Sequence, residues 1–202
     1  MREIYRKRGK RIFDVVGSLI ALSVCSPILM LIACAIKLDS RGPVIFKQKR
    51  MGRGGNPFTI FKFRTMYYQS CGSHALVRTR NDPRVTRMGK FLRRSHLDEL
   101  LQLFNVVRGE MSIVGPRPEE WSSARELSAT IRGWAKCRQA MPGITGPTQV
   151  YLGREMVFEL GDSPGRRAEA KFIRWYIINF CFLVDLKIIA KTSWHCLQRQ
   201  GV

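Results

Sequence analysis

From Val15 to Ile36 the chain runs for 22 residues, VVGSLIALSVCSPILMLIACAI, without a charge. A helix that crosses a bilayer needs about 20 such residues. Two features set this run apart from a simple span. Cations crowd both ends: Arg2, Arg6, Lys7, Arg8, Lys10 and Arg11 precede it, and Lys37, Arg41, Lys47, Lys49, Arg50 and Arg53 follow it. A spanning helix concentrates its basic residues at the cytoplasmic end. In addition, Ser26-Pro27 stands at the middle. Proline has no N–H to give the preceding turn and its ring clashes with that turn, while a neighbouring serine hydroxyl can satisfy the carbonyl so freed. Together these predict a helix broken at Ser26-Pro27, over about 12–37, that dips into one leaflet and returns. A kinked span is the alternative. So is a secretory signal ending at Ala33-Cys34-Ala35, against which stand the length of the run and four further cysteines downstream.

Beyond the apolar run the periodicity changes. Residues 44–50 (VIFKQKR) and 58–64 (FTIFKFR) are rich in β-formers and flank a cluster of Gly52, Gly54, Gly55, Asn56 and Pro57, the pattern of a hairpin. Residues 68–83 read as a polar loop. From Met88 to Val107, Leu92, Leu97, Leu100, Leu101 and Phe104 recur at helical spacing, with Gly109 as a stop. Trp121–Ala140 reads as helix, MPGITGP as a turn cluster and Thr148–Leu152 as a short strand. Ala168–Gln198 is helical with breaks. Phe172, Trp175, Tyr176, Phe180, Phe182 and Trp194 alternate there with Lys171, Arg174, Lys187 and Lys191. Rings interleaved with cations suit helices lying at headgroup level; an ordinary core helix is the alternative. The pattern predicts a predominantly helical α+β chain.

Charge narrows the choice of partner. Thirty-five Lys and Arg against 15 Asp and Glu leave a net charge of +20 on 202 residues. Such an excess asks for a polyanion: nucleic acid, an anionic membrane, or phosphorylated substrates. The six cysteines show no C-x-x-C pair and no zinc spacing, and the three histidines support no nucleophile–histidine arrangement. Reduced thiols facing a cytosol fit this usage.

The densest chemistry lies between Arg78 and Pro118. Arg78, Arg80, Arg84, Arg87, Lys90, Arg93 and Arg94 precede the adjacent carboxylates Asp98 and Glu99, which interrupt an apolar stretch. Guanidinium forks bind phosphate oxygens in pairs. Mg²⁺ prefers one or two carboxylates with phosphate and water completing its shell, and a carboxylate can attack phosphorus. Acids that merely balance arginines on a solvated face are the plainer reading. Two further groups accompany them: Lys62 and Arg64 in KFRTM, and Arg117 held between two prolines.

In their order, KRIFDVVGSLIAL, GPVIFKQKRMGRGG, FTIFKFRTM, DPRVTRMGKFLRRSHLDELLQLFNVVRGEMSIVGPRPEE, PGITGP and DLKI resemble the bacterial sugar transferases, the monotopic polyprenyl-phosphate phosphoglycosyl transferases. The resemblance runs from about Lys10 to Thr192, and LDELLQLFNV with VGPRP and PGITG is specific in combination. It implies one phosphoglycosyl transferase domain over 1–202: a re-entrant membrane helix and a cytosol-facing part over 38–202, the minimal catalytic unit of the family. The implied reaction moves a sugar-1-phosphate from a UDP-sugar to undecaprenyl phosphate and releases UMP, at the cytoplasmic face of the bacterial inner membrane. Asp98 matches the nucleophile and Glu99 the ligand of Mg²⁺. Lys62, Arg64, Arg93 and Arg117 match phosphate-binding residues, Ser26-Pro27 the helix break, and Tyr176, Asn179 and Asp185 a C-terminal motif near the active site, of which Tyr176 and Asp185 are expected to contact substrate. Anionic phospholipid is an expected partner and nucleic acid is not; self-association is left open. A UDP-hexose such as glucose or galactose is the expected donor. The chain departs from the family pattern at His96 (usually Ser), Leu101 (usually Pro) and Pro147 (often Trp or Leu). Without the proline at 101, one unbroken helix is expected through the carboxylates. A non-catalytic basic protein of the membrane surface or of nucleic acid is the competing reading; adjacent carboxylates within its basic face argue against it.

Overall fold

The apolar run forms one helix, α1 (Lys10–Asp39), in a computed structural model that describes residues 5–68, 82–121, 123–124, 129, 134–137, 139–152 and 164–198. Helix α1 continues through Pro27. Proline removes the donor that would reach the Ser23 carbonyl, and the Ser26 hydroxyl donates to that same carbonyl at 2.8 Å. The expected break is therefore repaired locally, and the helix is continuous where the sequence predicts two halves. Its middle is bare: Val24 and Met30 are 74% and 70% exposed. Its two ends are not. Near the start, Arg11 donates to the carbonyls of Val106 and Val107, and Asp14 accepts from the Ile113 N–H. Near the finish, Ile32 and Ile36 pack with Phe63, Leu92 and Leu101.

Strands β1 (Ile45–Met51) and β2 (Pro57–Phe63) form the expected antiparallel hairpin, with Ile45 opposite Phe63 and Met51 opposite Pro57. Gly54 and Gly55 take left-handed φ of 71° and 87° in its turn. The stretch predicted as one helix is divided into α2 (Arg87–Ser95), a 3₁₀ turn Leu97–Glu99 and α3 (Gln102–Arg108). Leu101 does permit a helix, but the interruption comes earlier, where His96 adopts φ 59° and caps α2. Strands β3 (Ser112–Val114) and β4 (Gly143–Thr145) pair in parallel, and the segment predicted as a strand after them is a helix, α5 (Pro147–Tyr151), opened by Pro147 at its first turn. Of the Trp121–Ala140 helix, the four-residue α4 (Trp134–Cys137) is described; the expected loop over 68–83, with Arg78 and Arg80, lies mostly outside the described residues.

Two helices close the chain, α6 (Pro164–Asn179) and α7 (Phe182–Leu197), parted at Phe180-Cys181. Trp175, Phe182, Leu183 and Trp194 stay exposed, whereas Tyr176 and Ile188 join Val114 and Val150 in a core cluster. The described residues are thus mostly helical with two small sheets, and their cores lie where β2, α2 and α3 meet α1 and where β3 meets α6 and α7.

Candidate active site

Backbone contacts too close for a side chain bring the site together. A Cβ on Gly89 would collide with the Thr65 backbone, so α2 lies directly on the chain leaving β2. From there Arg93 reaches back and its Nε donates to the Thr65 hydroxyl at 2.8 Å. Gly115 and Gly143 meet in the same way, each leaving no space for a Cβ on the other side. The VGPRP and PGITG segments therefore interlock through their glycines, and Arg117 is carried out on the loop that follows β3. Both flanks of Arg117 are pinned: the Gly143 N–H donates to the Pro116 carbonyl at 2.8 Å before it, and after it Arg50 donates to the Pro118 carbonyl at 3.2 Å and the Met51 N–H to the Glu119 carbonyl at 3.0 Å.

At the centre stands Glu99, 9% exposed. Its Oε1 accepts from Lys62 Nζ at 2.8 Å and from Arg117 Nη2 at 2.9 Å. Lys62 arrives from β2, Arg117 from the loop after β3 and Glu99 from the 3₁₀ turn, so three separate elements converge on one oxygen. Asn105 holds two of them in register. It accepts from the Phe61 N–H at 3.1 Å and donates to the Thr59 carbonyl at 2.7 Å, tying α3 to β2 beside Lys62.

The two neighbouring carboxylates differ in charge state. Burial works against the Glu99 anion, but Arg117 and Lys62 outweigh it and hold this carboxyl well below its ordinary range. Asp98 is pushed up to about 6, by burial and then by the Glu99 charge; Lys62, Arg93 and Arg117 pull it back only in part. Lys62 is drawn down by burial, against the attraction of Glu99. One carboxylate is thus firmly ionised and clamped, and the other is a poorly stabilised anion beside it. Such a pair, ringed by three cations, suits capture of a phosphate and attack on it.

The structure brings Lys62, Arg93, Asp98, Glu99 and Arg117 together. It puts Arg64 elsewhere: at 2% exposure its guanidinium donates to the carbonyls of Ser40 and Arg41 at 2.7 and 2.8 Å, closing the end of α1. Strand alternation alone would put Lys62 and Arg64 on one face, opposite buried Phe63; but β2 ends at Phe63, and Arg64 lies beyond the strand, where it turns to the end of α1. Tyr176 and Asp185 belong to another network. The Tyr176 hydroxyl donates to Asp185 at 2.7 Å, and Asp185, fully buried, also receives Tyr5 at 2.6 Å and Lys10 at 2.7 Å. These residues fasten α1 to α6 and α7, where a substrate contact was expected of them. Asn179 donates to the Trp175 carbonyl on its own helix. The sequence reading missed Asn105, Thr65, Arg50 and Glu119; of these, Asn105 alone carried a signal, as the one polar side chain among LFNVV.

A family model described as bacterial sugar transferase matches residues 5–199. A UDP-glucose:undecaprenyl-phosphate glucose-1-phosphate transferase of Klebsiella pneumoniae is 42% identical over 183 residues, covering 91% of this chain and 39% of that protein. The protein of the same description from Caulobacter vibrioides is 43% identical, covering 91% of this chain and 67% of the relative. A UDP-N-acetylgalactosamine-undecaprenyl-phosphate N-acetylgalactosaminephosphotransferase of Aeromonas hydrophila is 38% identical, with 91% and 42% covered. The chain thus spans about two fifths of the length of the Klebsiella and Aeromonas relatives.

Proposed function

The chain belongs to the bacterial sugar transferase family, and from that premise we propose that it transfers a sugar-1-phosphate from a UDP-sugar to undecaprenyl phosphate, releasing UMP. The observation that carries this reading is the pair of adjacent carboxylates with opposite charge stabilisation, Glu99 clamped by Lys62 and Arg117 and Asp98 left beside them. In the first half of the reaction a carboxylate oxygen of Asp98 attacks the phosphorus that bears the sugar. The bond from that phosphorus to the bridging oxygen breaks, and UMP departs with the electron pair. In the second half an oxygen of undecaprenyl phosphate attacks the same phosphorus, and the Asp98 carboxylate leaves. Arg93 and Arg117 offer guanidinium forks to the diphosphate oxygens, whose charge grows as UMP separates.

The donor set suits Mg²⁺. Asp98 and Glu99 supply the one or two carboxylates that this ion takes alongside substrate phosphate and water. Oε1 of Glu99 already holds two cations, so its second oxygen would meet the metal. When bound, the ion would neutralise charge developing on the diphosphate.

The attachment of both ends of α1 to one body supports a monotopic placement at the cytoplasmic face of the inner membrane. Arg11 and Asp14 are bonded to α3 and β3, and Ile36 lies against Phe63 and Leu92, while Val24, Met30 and Leu31 between them are bare. A helix fixed at both ends to the same cytosolic body enters the bilayer by its middle. The exposed aromatic faces of α6 and α7 would lie at the headgroups. The relatives' names share the UDP carrier and the lipid and differ in the sugar, which makes UDP-glucose the first donor to test, ahead of galactose and N-acetylated sugars. The step suits the first membrane reaction of exopolysaccharide, capsule, O-antigen or glycoprotein glycan assembly.

The deciding experiment uses UDP-sugars labelled in the sugar phosphate. Without lipid acceptor, the protein should accumulate label on Asp98, and undecaprenyl phosphate should then discharge it with one UMP released per transfer. Asp98→Asn should bind UDP-sugar and form no adduct. Substantial turnover by Asp98→Asn would mean direct attack by the lipid phosphate, and no UMP release from any donor would sink the transferase reading itself.

A further inference from the structure

Behind Arg117 lies a second buried charge cluster that the chemistry above does not use. Arg166, in the first turn of α6, donates through Nη1 to Glu119 Oε1 at 2.9 Å and to Glu169 Oε2 at 2.8 Å. The Arg166 side chain is 7% exposed and that of Glu169 1%. Glu119 is two residues from Arg117, and its negative charge acts on the Arg117 guanidinium together with that of Glu99. Two carboxylates therefore compete for one guanidinium: Glu99, which holds it at 2.9 Å, and Glu119, which Arg166 occupies.

The surroundings make this competition a matter of side chains alone. The backbone about Arg117 is fixed by the flanking prolines and by the bonds from Arg50 and Met51. A cavity of about 40 Å³ beside it, lined by Arg117, Glu119, Trp134, Cys137 and Ile173, leaves space for a side chain to turn away from Glu99. We propose that Arg166 is a positioning residue: by neutralising Glu119 it keeps Arg117 on Glu99 and available to the donor diphosphate. The inference rests on the reading of this site as a diphosphate site. A plain structural staple between α6 and the loop would have the same contacts, and the two roles differ in what removal of Glu119 does. For a staple, losing Glu119 adds damage. For a decoy held in check, losing Glu119 relieves it.

The test is a variant series in a Glu169→Gln background, so that no lone buried carboxylate faces a missing guanidinium. Arg166→Met in this background should raise KM for the best UDP-sugar about tenfold and change kcat by less than about threefold, the scale of one charge-assisted hydrogen bond lost. Adding Glu119→Gln should bring KM back to within about threefold of the background. The same series read as Kd for inorganic diphosphate with Mg²⁺ needs no turnover, so it decides the inference even if wild type releases no UMP and the transferase reading falls. Glu119→Gln alone, with Arg166 and Glu169 in place, should leave diphosphate affinity intact; a staple would lose it, and this arm stands if Arg166→Met does not fold. The inference is overturned if Arg166→Met leaves KM and Kd unchanged, or if Glu119→Gln fails to restore them in protein that melts cooperatively.

Discussion

Removing the two cations on Glu99, singly and together, tests how the site is held. At 2.8 and 2.9 Å each contact has a gross attraction of about 6 kcal/mol at an effective dielectric near 20. Desolvation offsets most of it, leaving about 1.5–3 kcal/mol for a hydrogen bond to a charged group. The two cations should not be equal. Burial draws Lys62 down despite Glu99, so its own desolvation is incompletely compensated, whereas Glu99 raises Arg117 above its ordinary value. Lys62→Met should therefore cost about 1 kcal/mol or less, and Arg117→Met about 2 kcal/mol, trimmed by solvent because its side chain is 31% exposed. The double variant leaves a buried carboxylate with neither cation, a loss of about 3–5 kcal/mol and more than the sum of the singles. The sign with pH follows. In wild type the depressed Glu99 contributes stability above its ordinary 4.5, lost as pH falls through the folded value. In the double variant burial acts alone and raises Glu99, so stability should grow as pH falls. Denaturant unfolding in detergent at pH 8 and pH 5 reads both effects. A larger loss for Lys62→Met than for Arg117→Met, or a double variant with no excess loss at pH 8 and no recovery at pH 5, would refute the reasoning.

Glu169, pushed up to about 7 by burial and then by Glu119, carries the opposite sign: its protonated form favours the fold, and stability falls as pH rises from 4.5 to about 7. Glu169→Gln should raise the melting temperature at pH 8, by up to ~3 kcal/mol of stability, and change it little at pH 4.5; a loss at both would contradict this. Asn105→Ala strips partners from the Phe61 N–H and the Thr59 carbonyl and should cost about 3–5 kcal/mol in denaturant unfolding; a cost under about 1 kcal/mol would mean that Asn105 does not hold β2 against α3. Single cysteines placed near Lys7 and Lys49 in a cysteine-free background should both label from the cytoplasmic side, and labelling from opposite sides would establish a span.

Elements governed by local pattern were legible in the sequence. The hairpin appeared where alternation and a glycine-rich turn coincide, and the C-terminal helices where apolar residues recur at helical spacing. What escaped was set by distant contacts. The parallel pairing of Ser112–Val114 with Gly143–Thr145 joins three-residue strands whose alternation is too short to register, and their glycine-to-glycine approach is a property of two segments at once. Lys62 and Arg64 look alike in KFRTM and alternation would put them on one face, yet β2 ends between them, so Lys62 reaches Glu99 and Arg64 the end of α1. Pro27 was read as a break with the Ser26 hydroxyl satisfying the freed carbonyl; Ser26 does make that bond, and with it the helix carries straight through Pro27. The carboxylate pair and its surrounding cations stood out in the residue pattern, and their roles were named through family resemblance. Their division into a clamp of Lys62, Glu99 and Arg117, a fastening by Tyr176 and Asp185, and a cap by Arg64 came from the fold.

The left-handed His96 gives the dyad its asymmetry. Had the helix run through residue 99, Asp98 and Glu99 would point about 100° apart on a continuous cylinder, each with helical neighbours three and four residues away. His96 at φ 59° ends α2 and starts a tighter 3₁₀ turn, in which successive side chains diverge by about 120°. Glu99 is thereby turned inward to Lys62 and Arg117, while Asp98 gains burial without a bonded cation among the described residues. The consequence is chemical. An anion that burial and a neighbouring carboxylate have pushed up to about 6 is less stable than an ordinary aspartate, and in the proposed reaction it would shed that disadvantage as its oxygen bonds to phosphorus and the negative charge passes to departing UMP. The clamped Glu99 is the poorer candidate for this part, because Lys62 and Arg117 already stabilise its charge. On this reasoning the division of labour between two adjacent carboxylates arises from one backbone torsion two residues upstream, and any residue at position 96 that adopts the left-handed region readily, glycine or asparagine included, should preserve it.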